Sequence, residues 1–122
     1  MTLEQRLRAR SYGRLAEGLC ALRLRLLGWR IVARGFRTPM GEIDIVARRG
    51  RVLAVIEVKA RRRAETAAEA LTPSQQQRIP RAALGFLQGR PDLAGLDLRF
   101  DVMLVGGRTW PIHLPNAWRP EE

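Results

Sequence analysis

The chain has 122 residues, of which 46% are hydrophobic, and a net charge of +10 at pH 7. This length allows one domain with a modest core, and no apolar run approaches the roughly 20 residues that a membrane-spanning helix needs. The single cysteine, Cys20, excludes an internal disulfide and fits a reducing, cytoplasmic location. The charge favours a polyanionic partner: nucleic acid is expected and a membrane is not, because no segment combines basic and bulky apolar faces densely.

The first predicted element is a helix from Thr2 to Leu27, which Gly28 ends. Thr2 and Gln5 resemble a capping box. The alternative is a start as late as Ser11, which leaves residues 1–10 as a basic arm. Apolar residues recur at three- and four-residue spacing and form a stripe of the kind that packs on a core: Tyr12, Leu15, Leu19, Leu22 and Leu26. Cys20 is interpreted as core filler.

A strand from Trp29 to Phe36 is predicted next, with a bulge or turn at Gly35, followed by two strands and a tight turn between Gly41 and Arg63. Glu57 and Lys59 are two residues apart on the last of these strands, so they share a face. Asp44 lies on the preceding strand and reaches the same place if the hairpin register allows it. Two carboxylates and one ammonium group therefore meet at the end of an apolar strand.

This charged cluster has two interpretations, since burying unpaired charge is costly. It is either a structural salt bridge or a site that hydrolyses phosphodiesters, where Asp44 and Glu57 hold a metal ion and Lys59 orients water and offsets phosphate charge. Lys59 is the only lysine among 22 basic residues. Lysine and arginine are not interchangeable at a precise site, so this exception favours the catalytic interpretation.

The segments around this cluster resemble a known family. GEID, the hairpin and IEVKAR are similar to the small bacterial YraN-type proteins, which resemble archaeal Holliday-junction resolvases and the PD-(D/E)xK nucleases. The likeness extends to further positions along most of the chain: Gly13, Glu17, Gly28-Trp29, Phe36-Arg37-Thr38, Ala82-Ala83, Arg99 to Val102 and Pro115 to Ala117. The resemblance implies that Asp44, Glu57 and Lys59 are catalytic. It also favours Glu17 as a third metal-binding carboxylate over a solvated helix residue.

Several residues are candidates for contacts to nucleic acid. Arg61, Arg62 and Arg63 follow Lys59 directly and are either a solvated run or a guide for a phosphate backbone. Arg37 belongs to the run that matches the family. Gln75 stands where similar proteins commonly have lysine, and it could hydrogen-bond a phosphate or a water molecule.

The second half of the chain is predicted to add a helix and two strands. Residues 64–71 are ambiguous between helix and loop, and Thr72 caps a helix with Pro73 at its first position, although Pro80 predicts a kink or a later start. A strand spans Leu98 to Val105 and a short one Trp110 to Leu114, and residues 115–122 form a loose tail. Asp101 and His113 are interpreted as structural.

The predicted architecture is a single α/β domain over residues 1–122, with a mixed sheet flanked by helices in an αβββαβ core. The resemblance implies a Mg²⁺- or Mn²⁺-dependent endonuclease that cleaves DNA rather than RNA, including branched DNA. Two alternatives stay open: a nucleic-acid-binding module without catalysis, and a structural adaptor with the same fold. Cleavage of both strands of a junction would need a symmetric homodimer.

Overall fold

The computed structural model describes residues 2–60, 70–106 and 110–120, without the side chains of residues 8–12. The described residues contain two α-helices and five strands: α1 (Leu3–Leu26), β1 (Arg30–Thr38), β2 (Gly41–Arg49), β3 (Val52–Lys59), α2 (Pro73–Gln88), β4 (Asp97–Leu104) and β5 (Ile112–Leu114). A single 3₁₀ turn, Pro91–Leu93, separates α2 from β4. The α/β prediction is confirmed. Residues 61–69, which include most of the ambiguous segment, lie outside the described part.

The five strands form one mixed sheet in the order β1-β2-β3-β4-β5. The first three strands are antiparallel, and β4 returns parallel to β3 after the α2 crossover, as the sequence predicted. The register of β1 shifts between Ile31 and Ala33, so the bulge lies earlier than the predicted position at Gly35. Gly35 instead has a positive φ of 56°.

Both helices begin at capping boxes that the sequence identified. Thr72 Oγ1 accepts a hydrogen bond from Gln75 N at 3.1 Å, and Gln75 Oε1 accepts one from Thr72 N at 2.9 Å. Thr2 and Gln5 make the same pair of bonds at the start of α1. Helix α1 therefore begins at Leu3 rather than Ser11, and α2 continues through Pro80 rather than starting there.

The sheet is covered on both faces, with a different helix on each. Helix α2 packs on one face through Ile79, Ala82, Ala83 and Phe86, and α1 packs on the other through Ala16, Cys20 and Leu24. The buried position of Cys20 confirms its interpretation as core filler. No helix among the described residues is both long and apolar enough to cross a membrane.

The predicted apolar stripe of α1 does not face the core. Leu15, Leu19, Leu22 and Leu26 are all exposed, and the opposite side of the helix makes the contact with the sheet. That side includes a leucine outside the predicted stripe, Leu24, which is fully buried. Periodicity located an apolar face correctly, but the prediction that this face packs on the domain's own core is wrong.

The C-terminal segment contacts the domain up to Trp118. The Trp118 ring lies 5.3 Å from the Phe100 ring, between centroids, and its Nε1 donates to Gln76 O at 3.3 Å. Ala117 N donates to Phe100 O at 2.8 Å. These contacts hold residues 117 and 118 against β4 and α2, where the sequence predicted a loose tail.

Candidate metal centre

Three carboxylates from two elements converge beside the sheet. Glu17 lies on α1, and Glu42 and Asp44 lie two residues apart on β2. One oxygen from each carboxylate lies within 4.8 Å of an oxygen of the other two. Gly35 adjoins this group: a Cβ there would lie 3.6 Å from Glu42 Oε1 and 3.9 Å from Glu17 Oε1. A Cβ at these distances would make ordinary van der Waals contacts, so glycine is favoured here by its positive φ of 56° rather than by lack of space.

The position of Asp44 is fixed from the neighbouring strand. The β2–β3 register pairs Ile45 with Ile56, so continuing it by one residue sets Asp44 opposite Glu57. The backbone N–H of Val58 donates to Asp44 Oδ2 at 2.8 Å. Burial raises the pKa of Asp44, and this N–H bond opposes the rise by stabilising the carboxylate. The hairpin thus brings the predicted pair Asp44 and Glu57 together.

Glu57 is a buried acid without a full set of partners. Its Oε2 is buried and accepts no hydrogen bond from the described part of the chain. Burial raises the pKa of Glu57 to about 8, and the charge of Asp44 also raises it. Burial and the neighbouring Asp44 therefore favour the protonated form of Glu57 near neutral pH.

Lys59 contacts Glu57 rather than the three-carboxylate group. Its Nζ lies 3.8 Å from Glu57 Oε1, and its side chain is 20% exposed. The charge of Lys59 opposes the rise in the pKa of Glu57 that burial causes. The structure therefore brings together the lysine and the two acids that the sequence placed on this hairpin.

A cleft of about 340 Å³ opens onto the acidic group. Its lining combines acidic, basic and small residues: Gly13, Arg14, Ala16, Glu17, Arg37, Glu42, Asp44, Val58 and Ala60. Arg37 Nε lies 3.6 Å from Glu42 Oε2, and its side chain is 88% exposed. Glu57 and Lys59, which alternate with Val58 along β3, are not part of this lining.

Glu17 is the carboxylate that α1 contributes to the group. It is partly buried, and its Oε1 lies 3.6 Å from Arg34 Nε. Burial raises the pKa of Glu17, the charge of Asp44 raises it further, and Arg34 opposes both. A cation bound here would relieve the mutual repulsion of the carboxylates. The cluster therefore has the electrostatic character of a cation site.

Two residues near the cluster were missed from the sequence. Glu42 had no predicted role, yet it shares with Asp44 the period-2 spacing that was used to group Glu57 with Lys59. Burial raises the pKa of both Asp44 and Glu57, and the charge of Arg78 on α2 partly opposes the rise. A Cβ at Gly41 would collide with the Arg78 guanidinium, so glycine at that position lets the arginine reach the sheet.

The remaining predicted contacts to nucleic acid have different outcomes. The Gln75 side chain is used in the capping box of α2, three residues before Arg78 on the same helix. Arg37 does line the cleft. Arg61, Arg62 and Arg63 lie outside the described residues.

Comparison with known proteins gives one consistent result. Residues 16–105 match the model of a family described as uncharacterised protein family UPF0102. Proteins named as members of it are 59% identical in Parvibaculum lavamentivorans, over 88% of this chain and 81% of the relative, and 50% identical in Paramagnetospirillum magneticum, over 91% and 89%. A relative from a Chelativorans species is 47% identical over 97% of this chain and 98% of its own length.

Proposed function

The chain belongs to the UPF0102 family, and from its site we propose that it is a metal-dependent endonuclease that hydrolyses phosphodiester bonds in DNA. One observation carries the proposal: Glu17, Glu42 and Asp44 converge within 4.8 Å, and the strand register sets Asp44 opposite Glu57, which adjoins Lys59. Acidic oxygens grouped in this way, beside a basic side chain, suit an ion that contacts a phosphate.

The donor set fits Mg²⁺ or Mn²⁺. All its ligand atoms are carboxylate oxygens, which hard divalent cations prefer, and no histidine or cysteine belongs to the described cluster. The unsatisfied Oε2 of Glu57 is a further buried acceptor next to Asp44. We assign Asp44 as the central ligand, with Glu17, Glu42 and Glu57 around it. When bound, the ion supplies Lewis-acid polarisation of the phosphate and activation of a water molecule.

The protein's own groups prepare this chemistry in three ways. The N–H of Val58 holds Asp44 in one orientation, so the carboxylate needs no reorganisation. Lys59, partly buried beside Glu57, offers a compact positive charge to a phosphate that approaches the strand end. Arg78 adds a second cation from α2, which offsets part of the negative charge of the acids.

A DNA substrate accounts for the charge of the molecule. The net charge is +10 although the cleft itself is acidic, so most of the basic charge lies outside the carboxylate group. Arg14 and Arg37 line the cleft beside the acids. Basic residues around an acidic centre can hold the phosphates on either side of the one that reacts.

The decisive experiment measures metal binding and cleavage together. Wild type should bind Mn²⁺ weakly by calorimetry and cleave duplex or four-way-junction DNA in Mn²⁺, and Asp44→Asn should lose both activities while its thermal unfolding stays cooperative. Asp92→Asn is the matched control, because Asp92 is an exposed carboxylate outside the cleft. Undiminished Mn²⁺ binding by Asp44→Asn would remove the proposed site.

The second candidate function is a nucleic-acid-binding module without catalysis. It is favoured by Lys59, which is paired with Glu57 and does not line the cleft. For such a module, wild type would bind DNA in a salt-dependent manner, cleave nothing, and retain its affinity after Asp44→Asn. The same titrations therefore separate the two functions.

A further inference from the structure

A second cleft lies at the other end of the β1–β2 strand pair, away from the carboxylates. It encloses about 220 Å³ and shares no lining residue with the acidic cleft. Arg48, which lines it, is four residues beyond Asp44 along β2, a separation of roughly 13 Å on an extended strand. We name it the arginine cleft, after the residues that line it: Arg30, Ile31, Val32, Arg48, Arg90, Asp92 and Leu93.

The register of β1 and β2 sets two like charges directly opposite each other in the arginine cleft. Arg30 pairs with Arg48, whereas at the other end of the same two strands Arg37 pairs with Glu42. Residues opposite each other on antiparallel strands have Cβ atoms about 5 Å apart, and like charges at such positions are destabilising. An anion bound between the two guanidinium groups would relieve this repulsion.

The segment after α2 adds a third arginine, together with the one acidic residue among the described residues that line the cleft. Arg90 Nε and Nη2 donate to the two carboxylate oxygens of Asp92, at 3.0 and 2.9 Å. These hydrogen bonds hold the pKa of Asp92 below its ordinary value, and the charge of Arg48 lowers it further. Asp92 is therefore already paired, and the lining carries three positive charges against one negative charge.

The other two arginines keep most of their donors available. Arg48 Nε donates to Gly50 O at 3.1 Å, so the turn between β2 and β3 fixes one edge of this guanidinium group. Its remaining N–H groups and the whole Arg30 guanidinium make no hydrogen bond or ion pair within the described part of the chain. Two neighbouring guanidinium groups with free donors match the oxygens of a phosphate, which arginine binds in a bidentate manner.

We propose that the arginine cleft binds a phosphate group, with Arg30 and Arg48 in contact with its oxygens and Arg90 as the third cation. The surplus of two positive charges matches one phosphate dianion or two phosphodiester groups of a nucleic-acid backbone. This site is separate from the carboxylates, so the proposal holds whether or not the acidic cleft binds a metal ion or cleaves DNA.

The first test titrates the protein with inorganic phosphate at neutral pH and constant ionic strength, with a metal chelator present. Amide NMR shifts should saturate with one phosphate per chain and should be confined to residues that line the arginine cleft. The Arg30→Gln/Arg48→Gln double variant should bind phosphate at least ~10-fold more weakly, because it loses charge-assisted hydrogen bonds.

A matched control removes the same number of charges elsewhere. Arg6 and Arg25 are exposed residues of α1 outside the arginine cleft. The Arg6→Gln/Arg25→Gln variant should therefore bind phosphate as wild type does. Phosphate binding that is absent or unsaturable in wild type, or that falls equally in the two double variants, would overturn the proposal and leave the three arginines as a solvated surface.

Thermal unfolding separates a ligand site from a structural role for Arg30. In phosphate-free buffer, the midpoint of Arg30→Gln should equal or exceed that of wild type, because the substitution removes a like-charge pair. Added phosphate should raise the midpoint of wild type more than that of Arg30→Gln. A lower midpoint for Arg30→Gln in phosphate-free buffer would mean that Arg30 serves the fold, which contradicts the proposal.

The last arm identifies the source of the phosphate, using a short DNA single strand in the same chelator buffer. If Arg30→Gln/Arg48→Gln loses at least ~10-fold in affinity for the strand relative to the Arg6→Gln/Arg25→Gln control, the cleft holds a nucleic-acid backbone. If it loses inorganic phosphate but binds the strand as the control does, the ligand is a free phosphate anion. Both outcomes support the site, and neither requires the cleavage that Asp44→Asn tests.

Discussion

Two buried acidic residues on adjacent strands of this sheet differ in their hydrogen-bond partners. Asp101 on β4 is fully buried and has protein partners on both oxygens: Arg99, His113 and the N–H of Asn116. Glu57 on β3 is nearly as buried, yet its Oε2 accepts nothing from the described residues and its main neighbours are another acid and Lys59. The strands are parallel, and Asp101 pairs with Ile56, so the two acids lie on opposite faces.

The pKa values follow from these surroundings. Burial by itself would raise the pKa of Asp101, but hydrogen bonds from His113, Arg99 and Asn116 outweigh it, and the pKa lies below its ordinary value. Burial raises the pKa of Glu57 to about 8, because Asp44 adds to the effect of burial and Lys59 only partly opposes it. A buried carboxylate whose oxygens accept hydrogen bonds from the protein stabilises the fold. A buried carboxyl group with an unpaired oxygen, next to other acids, is suited to binding a ligand.

The largest expected effect comes from Asp101. Asp101→Asn should destabilise the protein by about 3–5 kcal/mol in urea unfolding, because it leaves the Arg99 guanidinium without its carboxylate. Asp92→Asn provides a matched control: Arg90 and Asp92 form the same bidentate pair two residues apart, but fully exposed. It should not change the unfolding midpoint. Equal losses in the two variants would mean that burial does not distinguish the pairs.

The next effect concerns the cation beside each acid. Lys59→Arg should lower single-turnover cleavage of duplex DNA by ~100-fold, because a bulkier planar guanidinium displaces the charge by ~1 Å from a reacting phosphate. DNA affinity in Ca²⁺ should be unchanged. The reciprocal exchange Arg99→Lys should reduce stability, through loss of the bidentate bond, and leave cleavage intact. Cleavage by Lys59→Arg at the wild-type rate would exclude the proposed role of Lys59.

The free energy of unfolding should fall as pH rises, because the pKa of Glu57 is raised in the folded protein. Its folded pKa of about 8 lies above the ordinary 4.5, so folding takes up a proton between these values. Stability from this group is complete below about pH 4.5 and is lost as pH rises through 8. With a metal chelator present, the free energy of unfolding of the wild type should therefore fall by on the order of 2 kcal/mol across this pH window. The Glu57→Gln variant should show a smaller fall. A wild-type curve that rises over the same range would contradict the raised pKa.

The sequence predicted those parts of the fold and site that depend on local regularity. Strand alternation and a short hairpin were enough to bring Asp44, Glu57 and Lys59 together, and the turn and cap residues located both helix starts. The parallel return of β4 followed from its crossover connection.

The parts that the sequence did not predict depend on which surfaces meet. Periodicity identified an apolar face of α1, but it could not reveal that Ala16 and Cys20 would lie on the core side of the helix instead. Arg78 reaches the site across the space above Gly41, a contact between distant segments that spacing along the chain does not encode. The contacts of the C-terminal segment are also between distant segments, since Trp118 contacts Phe100 on β4 and Gln76 on α2.

The smallest expected effect comes from removing one of the hydrogen-bond partners of Asp101, His113. His113 Nε2 lies 2.7 Å from Asp101 Oδ2 on the edge strand β5, and the His113 ring contacts Trp29 edge-on at 6.2 Å between centroids. His113→Leu removes the hydrogen bond but keeps an apolar side chain against Trp29. Arg99 and the N–H of Asn116 still satisfy the carboxylate, so the loss should be only about 1 kcal/mol in urea unfolding at neutral pH. A double-mutant cycle of His113→Leu with Asp101→Asn should then show a coupling of similar size, since both changes remove the same bond. A loss as large as that of Asp101→Asn alone would mean that His113, rather than Arg99, is the partner that keeps this carboxylate ionised.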